Sequence, residues 1–211
     1  MGDILSNKEE FLKIWKTSAI QVCDGADKLL EWLIASDFFE APASSRYHLA
    51  VPGGLCQHSL NVYRRLKWLL ESAYPKGVPY ASQSIAIVSL LHDICKVGMY
   101  KKTQRNQKTY DKAKIEKADK SIIKKDSGGE YIWETVDSYE IDEQFIFGHG
   151  EKSVYLINKF MKLTDEEAQA IRYHMSSWKH DDIQSVGKVY SANHLAFFLH
   201  VADEAASYID E

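Results

Sequence analysis

Apolar residues recur at helical spacing over most of the chain and lose that spacing only in the middle. Phe11, Leu12, Ile14, Trp15 and Ile20 predict a first helix over about 7–22, and Ser6 with Glu9 has the form of a capping box at its start. Leu29, Leu30, Trp32, Leu33 and Ile34 give a second helix that Asp24 can cap and that ends near Ser36. Pro42, Ser44, Ser45, Pro52, Gly53 and Gly54 mark a loop over about 38–54. A long helix follows over about 55–74, with Leu60, Tyr63, Leu66, Leu69 and Leu70 on its buried side, until Pro75, Gly77 and Pro79 break it. The next helix, about 81–95, is apolar almost all round from Ile85 to Leu91 and should be buried, with Gly98 placed to end it.

From Val97 to Phe147 the helical period disappears. Ser127-Gly128-Gly129 before the aromatic and β-branched run Tyr131–Val136 predicts a turn and one or two short strands, and 111–124 reads either as an exposed helix or as part of an irregular flap. Helical spacing resumes over about 150–160. Thr164 with Glu167 forms a second capping box opening a helix through Met175, and an apolar helix spans about 192–209. The expected fold is an all-α bundle with a small β-hairpin insertion around 97–147. It forms one domain over 1–211, in which residues 1–37 make an N-terminal helical layer, either a lid or an outer cover.

Composition changes this picture in two places. The formal charge is −4, yet residues 96–125 hold eleven Lys or Arg against three acids, so the lysine-rich flap is either a funnel for a polyanion or a solvated surface. Cys23, Cys56 and Cys95 are odd in number and widely spaced, which fits buried thiols in a reducing compartment and leaves cysteine outside the expected chemistry. No window approaches the ~20 apolar residues of a membrane span, and the start lacks the form of a secretory signal. The expectation is a cytoplasmic protein without a membrane partner.

The chemistry concentrates at Leu90-Leu91-His92-Asp93-Ile94-Cys95-Lys96-Val97-Gly98. A carboxylate beside an imidazole at the end of a core helix is costly to desolvate unless a cation or a hydrogen-bond network compensates it. Around it stand Pro52-Gly53-Gly54-Leu55-Cys56-Gln57-His58, Gly148-His149-Gly150-Glu151, Arg172-Tyr173-His174-Met175 and Leu199-His200-Val201-Ala202-Asp203-Glu204. This ordered set resembles the HD-domain metal-dependent phosphohydrolase superfamily, in the branch with extra histidines for a binuclear metal site, over roughly residues 40 to 210.

The resemblance implies that His58, His92, Asp93 and Asp203 hold one metal and that Asp93 bridges to a second, completed by His149 and His174. Imidazole and carboxylate donors suit a divalent transition metal, Mn, Fe, Co, Ni or Zn. The expected reaction is hydrolysis of a phosphate ester or phosphodiester by a metal-activated hydroxide. Lys96, which matches the superfamily's lysine after its His-Asp pair, takes phosphate charge. Arg46 and Arg172 are candidates to grip a phosphate or to form structural pairs. His200 is a candidate for substrate contact, for support behind the ligands, or for a satisfied core position.

His48, His180 and His194 read as surface or loop residues. Trp133 and Trp178 are the aromatic candidates to stack on a base. The expected partner is a phosphorylated small molecule or nucleotide, with single-stranded nucleic acid as a further candidate. Two other readings use the same ligands, a di-iron oxygenase and a non-catalytic nucleotide-binding module.

Overall fold

A computed structural model describes residues 3–176 and 183–211. The chain is mostly helical, with a small three-stranded antiparallel sheet. Helix α1 (Ile4–Ser18) and α2 (Ala26–Ala35) come first. They are followed by α3 (Gly54–Ala73) and α4 (Ser82–Leu91). A 3₁₀ turn, Ile94–Lys96, leads into the insertion made of β1 (Tyr100–Thr109), the short α5 (Lys112–Lys117), β2 (Lys124–Asp126) and β3 (Gly129–Ile141). Helices α6 (His149–Asn158), α7 (Asp165–Arg172), α8 (Ile183–Ala192) and α9 (His194–Ala205) complete the bundle, and α9 runs into a single π turn at Ala206–Asp210.

Helix α3 is the central strut, packed on α4 and α9, while α7 joins α9 and α6. Leu60, Leu66 and Leu70 of α3 meet Ile87, Leu90 and Leu91 of α4 and Leu195 and Leu199 of α9 in one core. The first helix belongs to that core. Phe11 and Trp15 are fully buried, α1 packs on α3 and α4, and the Trp15 indole N–H donates to the Ala26 carbonyl at 3.0 Å. The N-terminal layer therefore packs on the bundle core through one buried face while its other face is exposed, and Trp15 bonds α1 to the first turn of α2.

Two expected helix starts differ from those observed. Helix α1 begins a turn earlier, because Asn7 N–H already bonds to Asp3 C=O, so Ser6 lies inside the helix and its capping box does not form. Helix α2 is capped by Gly25 instead of Asp24. Gly25 sits at φ 83°, and a Cβ there would lie 2.0 Å from Phe160 O, so the close approach of the α6–α7 connection demands a glycine. The second capping box forms as read, with Thr164 accepting from Glu167 N–H and Glu167 accepting from Thr164 N–H, though α7 stops at Arg172.

The insertion is larger than a short hairpin. β3 lies between β1 and β2, and β1 pairs with it over ten positions, from Tyr100 opposite Ile141 to Thr109 opposite Ile132. The turn at Ser127-Gly128 is as expected, joining Asp126 and Gly129 in register. Asp111 caps α5 by accepting from Ala113 and Lys114 N–H, so a short helix occupies part of 111–124.

Strand pairing also rewrites the charge picture. Across residues 100–141 ten Lys or Arg face eight Asp or Glu. Lys108 pairs with Asp126 at 2.5 Å, and Lys114 pairs with Glu134. The lysine-rich flap is thus close to charge-balanced once its later half folds back on it. Trp133, on β3, is half exposed and lies opposite Lys108, while Trp178 falls outside the described residues. No helix among the described residues is long and apolar enough to cross a membrane.

Candidate metal centre

Five elements converge on one buried point. His58 comes from the second turn of α3, His92 and Asp93 from the break between α4 and the 3₁₀ turn, and His149 from the first residue of α6. His174 lies just past α7, and Asp203 on the last turn of α9. All six expected metal ligands are brought together. Asp93 is the hub, with its Oδ1 2.7 Å from His149 Nε2 and 3.6 Å from His174 Nε2. Its Oδ2 is 2.6 Å from Lys96 Nζ, 3.5 Å from His92 Nε2 and 3.6 Å from His58 Nε2. Asp203 Oδ1 stands 3.0 Å from His58 Nε2 and 3.7 Å from His92 Nε2.

The imidazoles are aimed by their outer nitrogens. His92 Nδ1–H donates to Ser89 C=O at 2.8 Å and His174 Nδ1–H to Ile171 C=O at 2.7 Å, the same three-residue back-bond at two helix ends. His58 Nδ1–H donates to the Glu211 carboxylate at 3.0 Å. Each ring therefore turns Nε2 inward, and three imidazole nitrogens and two carboxylates, all on side chains no more than 10% exposed, face one another. His58 Nε2 and His92 Nε2 are only 3.2 Å apart, and His174 Nε2 is buried with no hydrogen-bond partner. Inward lone pairs at such spacing repel unless a proton or a cation lies between them. The donor groups whose atoms lie within 4.8 Å of one another include His58, His92 and Asp203; His92, Asp93 and His174; and Asp93, Cys95 and His149. Nitrogen and carboxylate donors in this arrangement fit a divalent cation.

The titration behaviour follows from the same geometry. Burial would lower His58, but hydrogen bonds to Asp203 and Glu211 carry it up to about 9. Burial likewise opposes charge on His149, yet the Cys95 and Asp93 contacts raise it to about 10. His92 is driven down to about 3 by burial, which outweighs its carboxylate neighbours. Asp203, against the cost of burial, is held well below the usual carboxylate range by His58, as is Asp93 by Lys96.

In the metal-free protein, the raised His58 and His149 contribute stability that is complete below about pH 6.5 and is lost as pH rises through 9 and 10. The depressed Asp93, Asp203 and His92 contribute stability that is lost as pH falls below their ordinary values. Urea midpoints measured with chelator present should therefore peak near pH 6 to 7 and decline on both sides. A midpoint still climbing at pH 9 would show that these protonations are absent.

The expected substrate residues divide. Lys96 is in the site, largely buried and ion-paired with Asp93; burial opposes its charge, but Asp93 holds its pKa well above the ordinary lysine value. Arg172 pairs with Glu151 at 2.5 Å and lies over the Tyr173 ring, so it ties α7 to α6, the structural-pair reading. Arg46 is exposed on the 44–49 loop, without a contact to the cluster among the described residues. His200 Nδ1–H donates to His174 C=O at 2.7 Å and stacks on Tyr190, so it supports His174 from behind.

Sequence reading passed over three residues. His48, expected at the surface or in a loop, lies on the 44–49 loop, with its ring 5.0 Å from that of His58 and a buried Nε2 with no partner. It is delivered by Leu49 at φ 43°, a left-handed conformation unusual for a leucine and typical of functional loops. Glu211 is brought beside His58 by the π turn after α9. Tyr100, at the start of β1, donates to Ala43 C=O at 3.4 Å and is pushed up to about 12 by burial. His194 is exposed at the start of α9, as expected, and His180 lies outside the described residues.

Access is one-sided. Five of the six expected ligands have side chains no more than 10% exposed, whereas His149 is 31% exposed. A cavity of about 720 Å³ is bounded by 50–52 of the incoming loop, 102–104 of β1 and 137–139 of β3. None of the six ligands lines it, and the loop carrying His48 adjoins it. Searches of protein-family models, curated proteins and solved structures find no match to this chain.

Proposed function

We propose that the chain is a metal-dependent phosphohydrolase of HD-domain type, acting on a phosphate ester or phosphodiester of a nucleotide or short oligonucleotide. The observation that carries this reading is the orientation of the imidazoles. His58, His92 and His174 each spend Nδ1–H on an outer acceptor and turn Nε2 toward Asp93 and Asp203. A catalytic acid–base pair requires one such histidine, and a structural core histidine does not leave its inner nitrogen unpartnered as His174 does.

His58, His92 and Asp203 would hold one cation, and Asp93 would bridge to a second beside His149 and His174. A divalent cation there supplies the positive charge that acidifies water and offsets charge on phosphoryl oxygens. Lys96 adds a fixed ammonium beside Asp93, placed to meet a phosphate oxygen without a proton transfer of its own. Glu211 and the two helix-end carbonyls hold the rings against rotation, and the low exposure of the cluster excludes bulk water from all but the His149 side.

The test is elemental analysis of the purified protein with a hydrolysis screen over nucleotides, cyclic dinucleotides and short RNA in the presence of added Mn. About two metals per chain with phosphate or nucleotide released is the expected result. Two irons with oxygen uptake and no hydrolysis would move the assignment to oxygenase chemistry, and tight nucleotide binding without metal or turnover would leave a binding module.

A further inference from the structure

The expected second metal position pairs His149 with His174, but the donor atoms sort differently. His174 groups with His92 and Asp93, whereas His149 groups with Asp93 and Cys95. Cys95 Sγ lies 3.7 Å from His149 Nε2 and 3.4 Å from its Nδ1, and the thiol is almost completely buried. In a tetrahedral site with metal–sulfur and metal–nitrogen bonds of about 2.3 and 2.05 Å, the S···N edge is about 3.5 Å long. The Sγ···Nε2 separation is near that length, but Sγ stands closer to Nδ1, beside the ring, so the His149 imidazole must rotate for Nε2 and Sγ to share one cation.

The backbone fixes this placement. Asp93 opens the 3₁₀ turn that carries Cys95 two residues on, and Cys95 N–H donates to Ser153 Oγ of α6 at 3.2 Å. Helix α6 itself begins at His149, so one hydrogen bond locks the thiol's turn to the imidazole's helix. A second observation points to a ligand on this side of Asp93. His174 Nε2, fully buried and 3.6 Å from Asp93 Oδ1, has no hydrogen-bond partner.

We infer that Cys95 is a metal ligand, the sulfur donor of a second cation held with Asp93 and His149, so that this position selects a thiophilic ion such as Zn, Co or Fe over Mn or Mg. The inference rests on the metal-centre reading above and deepens it, because a thiolate donor separates soft from hard divalent ions where carboxylate and imidazole alone do not. As the Sγ–metal bond forms, the thiol proton leaves to solvent and the cation gains one negative ligand. The other buried thiol, Cys56, differs. It sits among core side chains, and burial pushes it up to about 12.

Cobalt(II) titration of the full chain in thiol-free, oxygen-free buffer tests this. The wild type should show visible d–d bands and, with the second equivalent, a sulfur-to-cobalt charge-transfer band in the near ultraviolet. Cys95→Ser should lose the charge-transfer band and still bind the first equivalent, while Cys56→Ala keeps both.

Two equivalents bound without a sulfur band, or a band that survives in Cys95→Ser, would overturn the Cys95 assignment and leave the metal centre standing. No cobalt bound by the wild type would overturn both. Should Cys95→Ser fail to fold, cobalt-edge X-ray absorption of the Cys56→Ala protein decides. A sulfur scatterer at about 2.3 Å supports the assignment, and a shell of nitrogen and oxygen alone ends it.

Discussion

Asp93→Ala should abolish hydrolysis, strip metal from both positions and destabilise the metal-free fold. Asp93 is 3% exposed and touches every other member of the centre except Asp203, with Lys96 at 2.6 Å and His149 at 2.7 Å. Removing it leaves the buried Lys96 ammonium without its counter-charge, and breaking one partner from a buried pair costs about 3–5 kcal/mol. Asp93→Asn keeps the shape and fills the same volume, so it should fold better than the alanine variant while still failing to bind metal.

Adding Lys96→Met to Asp93→Ala should recover much of the lost stability without recovering activity, because the uncompensated charge is gone but the bridge is still missing. Metal content by elemental analysis and urea unfolding separate the two effects. A fully loaded, active Asp93→Ala would remove the bridging role. Stability losses that simply add in the double variant would remove the charge argument.

How much of this could be read from sequence differs by element. The bundle helices with strong apolar faces were legible, because burying an apolar stripe is what makes a segment helical in a protein of this size. β1 was not. Tyr-Lys-Lys-Thr-Gln-Arg-Asn-Gln-Lys-Thr has no alternation because most of it is exposed or half exposed on both faces, and it is a strand only because β3 supplies ten partners. The same omission inflated the apparent basicity of the flap, since its neutralising acids lie later in the chain.

Within the cluster, the residues with tight local settings were legible, and those that depend on remote placement were not. His92 and Asp93 announce themselves by interrupting an apolar helix. His48 arrives by a left-handed turn, Glu211 crosses 153 positions to reach His58, and Cys95 looks like any buried thiol until α6 sets His149 beside it. Arg46 and Arg172 looked alike from sequence, since proximity along the chain says nothing about which carboxylate claims a guanidinium.

Gly54→Ala is expected to be the most damaging single-methyl addition near the centre. The loop that enters α3 lies directly on its first turn. Gly53 N–H bonds to Glu40 C=O, Leu55 N–H to Ala41 C=O, and Ala43 N–H to Leu49 C=O, within 2.9–3.1 Å. A Cβ on Gly54 would fall 2.1 Å from Leu49 O and 3.0 Å from Ala43 N, both backbone atoms that cannot swing aside as a side chain can. The loop must lift, and with it go His48 and the Ala43 carbonyl that anchors Tyr100.

Forced overpacking of this kind costs about 1–3 kcal/mol, and a contact this short belongs at or above the upper end. His58 sits one helical turn further along the same helix, so metal affinity should fall together with stability. Gly187→Ala is the matched comparison. It lies within α8, has nothing within 4 Å of its Cβ position and needs no positive φ, so it should be neutral or stabilise by about 0.5–1 kcal/mol. Urea midpoints of the two variants measure the contrast. Equal midpoints would mean that the 43–49 loop is free to move off α3, and the close approach would then have no part in placing His48.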